Sequence, residues 1–323
     1  MEKQIMKMML TQDWKEKYSR ELENQNPELK VIKALTREKQ QTVLQEAEAV
    51  LGFTGSMEMD LLAGAPQLIW IQVLSAGVDR IMTSEYADIL RQKEVAITNV
   101  RGLHRDIIAE HTLALMLSFT RRLPEFYRQQ QRRIWKRLPV DYLGDKKIVI
   151  LGLGAIGKEI ARRAGAFNMT VVGVKRSPEE VPGVVEIYFP NQLKEAFQDA
   201  DFITAVLPLT PETRQMLGED EFAAMPDKAV FINVGRGRVV KEKALISALQ
   251  QGKLAGAALD VFQDEPLEAT SPFYEMNNVI ITPHVAGSFT DYYNRALNIV
   301  CENSKRYLND RELINQVDYS RGY

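Results

Sequence analysis

Short apolar runs alternate with polar stretches of helical period through the first hundred residues. Runs at 5–10, 31–35, 49–53, 68–74 and 95–100 read as strands, and residues 13–23 and 37–48 between them read as helices. Strands that alternate with helices predict a parallel sheet covered on both faces. Residues 106–122 predict a long helix, because Ile107, Ile108, Leu113, Leu115, Met116, Leu117 and Phe119 give it a broad apolar face. From Lys146 the pattern restarts more sharply, with strand candidates at 148–151, 170–174, 202–207, 229–234, 257–261 and 279–282. Helical stretches such as 158–167 and 241–251 separate them. Residues 288–308 carry a last helical pattern, expected to fold back on the first region.

The fold expected is α/β with two doubly wound parallel-sheet domains. One spans 106–284, and the other is made of 1–105 and 285–323. The length of 323 residues agrees, since single cores stop growing at about 250–300 residues.

Composition narrows the classes. Lys+Arg 41 against Asp+Glu 43 leaves a formal charge of -2, so no global field draws the chain to nucleic acid or an anionic membrane. The basic run Arg121, Arg122, Arg128, Arg132, Arg133, Lys136 and Arg137 is interleaved with Leu123, Phe126, Tyr127, Ile134 and Trp135, and reads as a solvated helix face. Cys301 is the single cysteine, which excludes an internal disulfide and fits a cytoplasmic location. The start is broken by Lys7 and has no small-residue cleavage site, so no signal peptide is expected. No window approaches the ~20 apolar residues of a membrane span. His104 and His111 read as a loop and a helix residue with no metal-ligand spacing, and no metal is expected.

The most specific local signal is Gly152-Leu153-Gly154-Ala155-Ile156-Gly157, entered from a strand and followed by helical spacing at Ile156, Ile160, Ala164 and Phe167. In that context the glycines allow a tight turn, a close approach to a pyrophosphate and close helix packing. Amides at a helix N-terminus favour the phosphates. Without its flanks the motif would be only a glycine-rich turn. The acid that usually closes the next strand and holds the adenosine ribose is absent, and Lys175, Arg176 and Ser177 stand there. An arginine can clamp a ribose 2′-phosphate that a carboxylate would repel, so NADP(H) is favoured and NAD(H) remains possible. The plainer alternative is two solvated cations at a strand end.

Three polar positions follow later strands: Arg236 within Asn233-Val234-Gly235-Arg236-Gly237, Glu265 within Asp260-Val261-Phe262-Gln263-Asp264-Glu265-Pro266, and His284 within Pro283-His284-Val285-Ala286-Gly287. Ligands bind beyond the carboxyl ends of strands in open α/β sheets. Arg236 can pair with a carboxylate and polarise an adjacent carbonyl. His284 suits acid/base work, and an ionised Glu265 beside it would keep it protonated. Taken singly, each has a bland alternative: a loop cation, a surface turn, a structural histidine.

At these residues the chain resembles the D-isomer-specific 2-hydroxy-acid dehydrogenases. The likeness also includes Val73-Leu74-Ser75-Ala76-Gly77-Val78-Asp79, Ala109-Glu110-His111-Thr112-Leu113-Ala114 and Leu207-Pro208-Leu209-Thr210-Pro211-Glu212-Thr213. The resemblance implies hydride transfer between NAD(P)H and a small 2-oxo acid or 2-hydroxy acid, with Arg236, Glu265 and His284 as the catalytic trio. It implies a substrate carboxylate held at Ser75, Ala76, Gly77 and Arg236. It places cofactor contacts at the glycine loop, Lys175, Arg176, Ser177, Leu207, Pro208, Thr213, Val234, Gly235, Arg236, Asp260, His284, Ala286 and Gly287.

Family members are usually homodimers, with the helix near 106–137 and its following arm at the interface. The basic pair at Lys175 and Arg176 is similar to the NADPH-preferring glyoxylate/hydroxypyruvate reductases. Formate dehydrogenase relatives carry Gln where this chain has Glu265, and serine-pathway control by a regulatory segment after Tyr323 is not expected. A different class shares the architecture: a dinucleotide-sensing, corepressor-like binding protein with little turnover.

Overall fold

The computed structural model describes residues 5–82 and 85–322. Residues 1–4, part of the start read above as no signal peptide, lie outside the described residues. In chain order the elements are β1 (Met6–Leu10), α1 (Glu16–Gln25), β2 (Leu29–Lys33), α2 (Arg37–Val43), β3 (Ala49–Gly52), α3 (Met59–Gly64), β4 (Trp70–Val73), α4 (Asp79–Met82), α5 (Tyr86–Gln92) and β5 (Ala96–Thr98). They continue with α6 (Arg105–Thr120), α7 (Leu123–Gln131), β6 (Lys147–Leu151), α8 (Ala155–Ala166), β7 (Thr170–Val174), β8 (Glu186–Tyr188), α9 (Leu193–Ala196) and β9 (Phe202–Ala205). The last are α10 (Glu219–Ala224), β10 (Val230–Asn233), α11 (Glu242–Gln250), β11 (Gly256–Leu259), β12 (Val279–Ile281) and α12 (Tyr292–Leu308).

The chain forms two compact units, one of residues 1–103 with 289–323 and one of residues 104–288. These limits differ by a few residues from those read off the sequence. His104 accepts the Ile108 amide and so begins α6, while the amides of Val285 and Ala286 bond back to Asp260. Hydrogen bonds thus keep both stretches within the second unit.

In the first unit the described strands form a parallel sheet ordered β2-β1-β3-β4-β5, the flavodoxin-like order. Every residue of β3 and β4 is buried, as expected for central parallel strands covered by helices. One face is packed by Leu22 of α1 with Ala296, Leu297 and Val300 of α12, against Met8, Leu10 and Trp70. Buried polar side chains pair across this core: Trp70 donates to Thr98 at 2.8 Å, Thr98 to Gln72 at 2.9 Å, and Asn303 to Gln72 at 2.9 Å.

The second unit holds a parallel sheet ordered β12-β11-β10-β9-β6-β7-β8. Counted within the unit, this is the 3-2-1-4-5-6 Rossmann order with one further strand at the end. Ile148, Val149 and Ile150 of β6 are fully buried at the centre, and each such side chain contributes about 1.5–3 kcal/mol through burial. β8 was not anticipated, because three half-exposed residues at a sheet edge leave little apolar signal.

The helix read over 106–122 is α6, and its continuation to 137, implied by the resemblance, is interrupted. α6 ends at Thr120, Arg122 takes a left-handed φ of 53°, and α7 starts with Pro124 in its first turn. Proline cannot donate to the preceding turn and clashes with it, so the helix restarts in a new direction. Beyond α7 the chain turns and then has no regular secondary structure to residue 140, so only part of the basic run lies on a helix.

Candidate active site

The loop after β6 is shaped by contacts that exclude side chains. Gly152 has φ of 101°, and a Cβ there would lie 2.7 Å from the Val206 carbonyl oxygen. At Gly157 a Cβ would lie 2.0 Å from the Gly152 oxygen, so α8 approaches the loop as only glycine permits. Gly154 and Ala155 are exposed at the start of α8, whose first turn carries no acid and no side-chain cap. Its first amides therefore suit an anionic pyrophosphate. Ile156 is half-buried beneath them. Gly157→Val is expected to cost about 1–3 kcal/mol in overpacking and to weaken dinucleotide binding. Thermal melts and a dinucleotide titration check this, and parent-like values in both would remove the requirement for glycine.

Beyond β7, Arg176 is exposed and Ser177 half-buried. Lys175 is turned inward, with Nζ 3.2 Å from the Glu179 carboxylate, so its charge is already partly paired. Arg176 acts on Glu212, whose carboxyl lies below its usual range through its bond to Thr210, its own backbone amide and the Arg176 charge. Leu207 and Pro208 are half-buried. Thr213, expected among cofactor contacts, uses its hydroxyl inside the loop: it donates to Pro208 O at 2.7 Å and accepts from Thr210 N at 2.8 Å.

Arg236 follows β10 in a turn built by Asn233, which accepts from Gly235 N and donates to Arg236 O, each at 3.1 Å. Val234 and Gly235 are buried, whereas Arg236 is half-buried with Nη1 donating to Gly235 O at 2.9 Å. A Cβ at Gly237 would lie 1.9 Å from the Phe262 carbonyl, so this loop and the one after β11 touch backbone to backbone. Arg238 then donates to Gln263 O at 2.9 Å and Asp264 Oδ1 at 3.0 Å, while Glu242 accepts from Gln263 N.

That second loop presents Glu265. Its Oε1 accepts from Phe262 N at 3.0 Å, and its Oε2 lies 2.6 Å from His284 Nδ1. Burial acts to raise the Glu265 carboxyl, but the His284 bond, the Phe262 amide and the charges of His284 and Arg236 hold it below its ordinary range. The same bond raises His284, against burial and Arg236 and with help from the charges of Glu265 and Asp260. The two shifts agree: a carboxylate facing an imidazolium, with the other ring nitrogen, Nε2, left for chemistry.

His284 itself sits at φ 53°, an uncommon conformation for a non-glycine residue. Asp260 holds it there. Its backbone oxygen accepts from His284 N at 2.8 Å, and its carboxylate accepts from Val285 N at 2.9 Å and Ala286 N at 3.0 Å. Ala286 is buried, and Gly287 packs against His104, whose Cδ2 would lie 2.8 Å from a Cβ there. Burial first, and then the Arg236 charge, push His104 down to about 4.

Ser75, Ala76 and Gly77 lie in the other unit, in the turn after β4. Ser75 Oγ donates to Gly77 O at 2.8 Å, and Asn99 donates to Ala76 O at 3.0 Å. Within the second unit, then, Arg236, Glu265 and His284 share one electrostatic neighbourhood. Sequence reasoning missed Asn233, Arg238, Glu242 and Thr282 as supports, and read His104 and His111 only as a loop and a helix residue. The repeated Gly-Arg at 235–238 was the one available hint. Among the described residues, no group of three His, Cys, Asp or Glu is placed to hold a metal ion.

Residues 113–286 match the family model described as D-isomer specific 2-hydroxyacid dehydrogenase, NAD binding domain. The chain belongs to the D-isomer specific 2-hydroxyacid dehydrogenase family. Within that family it is 33% identical over 87% of its length to a D-3-phosphoglycerate dehydrogenase of Methanocaldococcus jannaschii, of which it spans 53%. It is 35% identical to glyoxylate/hydroxypyruvate reductase B of Yersinia pestis, over 76% of each chain. Its fold matches the NADPH-dependent glyoxylate/hydroxypyruvate reductase of Sinorhizobium meliloti, solved with NADP and sulfate, with a TM-score of 0.85 at 28% identity. That match covers 98% of this chain and 100% of the other. The chain spans about half the length of the first of these relatives and three quarters of the second. No helix among the described residues is long and apolar enough to cross a membrane.

Proposed function

We propose that this protein is an NADPH-preferring reductase of small 2-oxo acids, of the glyoxylate and hydroxypyruvate type. The observation that carries the chemistry is the 2.6 Å bond between Glu265 and His284 Nδ1, within the influence of Arg236. Arg236 pairs with the substrate carboxylate and polarises the neighbouring carbonyl. His284 donates a proton from Nε2 to the oxygen of that carbonyl, and Glu265 keeps the ring charged and fixed until it does. In the reverse direction neutral His284 removes the hydroxyl proton. A bound nicotinamide would supply or accept the hydride.

The glycine loop fits a dinucleotide because Gly152 and Gly157, where a Cβ would clash, let α8 approach the end of β6 with exposed residues in front. Around it Leu207 and Pro208 would flank the adenosine, while Val234 and Asp260 would meet the carboxamide. Arg176 and Ser177, more than Lys175, would take the ribose 2′-phosphate. The domain of residues 1–103 and 289–323 we assign to substrate, with the amides of Ser75, Ala76 and Gly77 as carboxylate donors. Leu123, Tyr127, Ile134, Trp135, Val140 and Tyr142 form an exposed apolar series, with Trp135 97% exposed. That series supports a homodimer joined through this arm. The lone, buried Cys301 suits the cytoplasm.

Steady-state assays of glyoxylate, hydroxypyruvate and pyruvate with NADPH and with NADH test the reading. Arg176→Asp with Lys175→Ala is expected to lower NADPH affinity by about tenfold or more, the scale of losing a charge-assisted pair. NADH affinity should hold or rise. A parent that prefers NADH would overturn the cofactor assignment, and dinucleotide binding with no turnover would favour a sensor.

A further inference from the structure

We propose that His111 and Thr282 are positioning residues of the active site, holding the Asp260 carboxylate against the turn that presents His284. The inference rests on the assignment of His284 as the acid and base. His111 lies on α6, within the Ala-Glu-His-Thr segment that the function proposed above leaves unused. Its Nε2 is 3.1 Å from Thr282 Oγ1 and 3.8 Å from Asp260 Oδ1. Thr282 Oγ1 in turn donates to Asp260 Oδ1 at 2.5 Å.

The hydroxyl of Thr282 has one proton, and the carboxylate takes it. The short contact with His111 is therefore a donation from Nε2–H to Oγ1, which selects that tautomer. Asp260 is 1% exposed, so its charge must be fully engaged to be tolerated. One oxygen takes Thr282 Oγ1 and Val285 N, the other takes Ala286 N, and the backbone oxygen takes His284 N. A single residue thus anchors 282, 284, 285 and 286, and His111 braces it from another element.

This brace is more than packing, because Asp260 also acts on His284 electrostatically. The charged groups bearing on His284 are Glu265, Asp260 and Arg236, and Glu265 has Glu242 and Asp264 beside it. Asp260 favours the imidazolium. If Asp260 shifts, that contribution falls, and the left-handed turn loosens at its tightest point.

Thr282→Val removes the bridging hydroxyl at nearly constant shape, and His111→Leu removes the donor. Each is expected to lower kcat by about tenfold to a hundredfold, the scale of a misplaced reacting group. The basic limb of the pH profile should move to lower pH, and Thr282→Ser and His111→Gln should restore both kcat and the limb. His284→Ala is assayed in parallel. An unchanged kcat and limb in Thr282→Val, with His284→Ala inactive, would overturn this inference alone. So would a loss in Thr282→Val that Thr282→Ser does not recover, which would mark a structural role. Full activity in His284→Ala would overturn the acid/base assignment and this inference with it.

Discussion

His284→Ala is expected to reduce turnover of 2-oxo acids by ~10²-fold or more while leaving dinucleotide affinity near that of the parent. The ring is more than half exposed on a loop, so its removal opens no core cavity. What it removes is the proton donor proposed above. The parent should also show a characteristic pH dependence. The Glu265 bond raises His284 above its ordinary 6.5, so the protonated form persists to higher pH. Reduction, which consumes that proton, holds as pH rises past the ordinary histidine range and falls only through the raised value. Oxidation of the hydroxy acid needs the neutral ring and climbs over the same interval. Glu265→Gln removes the anion, so its basic limb should move down toward the usual imidazole range. A limb that stays in place would separate Glu265 from His284 functionally, and an active His284→Ala would remove the histidine from the chemistry.

Arg236→Leu should lower kcat/KM by about 10²–10³, the cost of losing one transition-state donor together with a carboxylate partner. Arg236→Lys should recover only part, because an ammonium cannot reproduce the planar two-point pairing. A second signature accompanies the loss. The Arg236 charge opposes protonation of both His284 and His104. Without it each imidazole takes a proton more readily, so the basic limb of the residual activity moves upward. Glu265→Gln moves it the other way. A loop that had simply collapsed would not produce opposite displacements from two neighbouring substitutions. An unaltered KM for the 2-oxo acid in Arg236→Leu would place the carboxylate site elsewhere.

These opposite shifts arise from residues 29 positions apart, and this bears on what could be read from the chain. Strand patterns located β1, β3, β4, β6, β7 and β9–β12 within a few residues, because buried parallel strands are nearly continuous apolar runs. The three-residue β8 was not legible, because it buries too little to leave a pattern. The helix read over 106–122 is α6, whereas the continuation to 137 implied by the resemblance is broken at Arg122 and Pro124. Thr213 was read from its motif as a cofactor contact, yet its hydroxyl closes its own loop.

By itself, the sequence determined what is local: the two alternating α/β patterns, the glycine loop between a strand and a helix, the missing acid after β7, and the chemical types of Arg236, Glu265 and His284. Tertiary structure alone decided how those types act. Hydrogen bonds and charges operate over a few ångströms, and only folding brings Glu265 to His284, Gly237 to the Phe262 backbone, and His111 on α6 to Thr282 and Asp260 across 171 and 149 positions of chain.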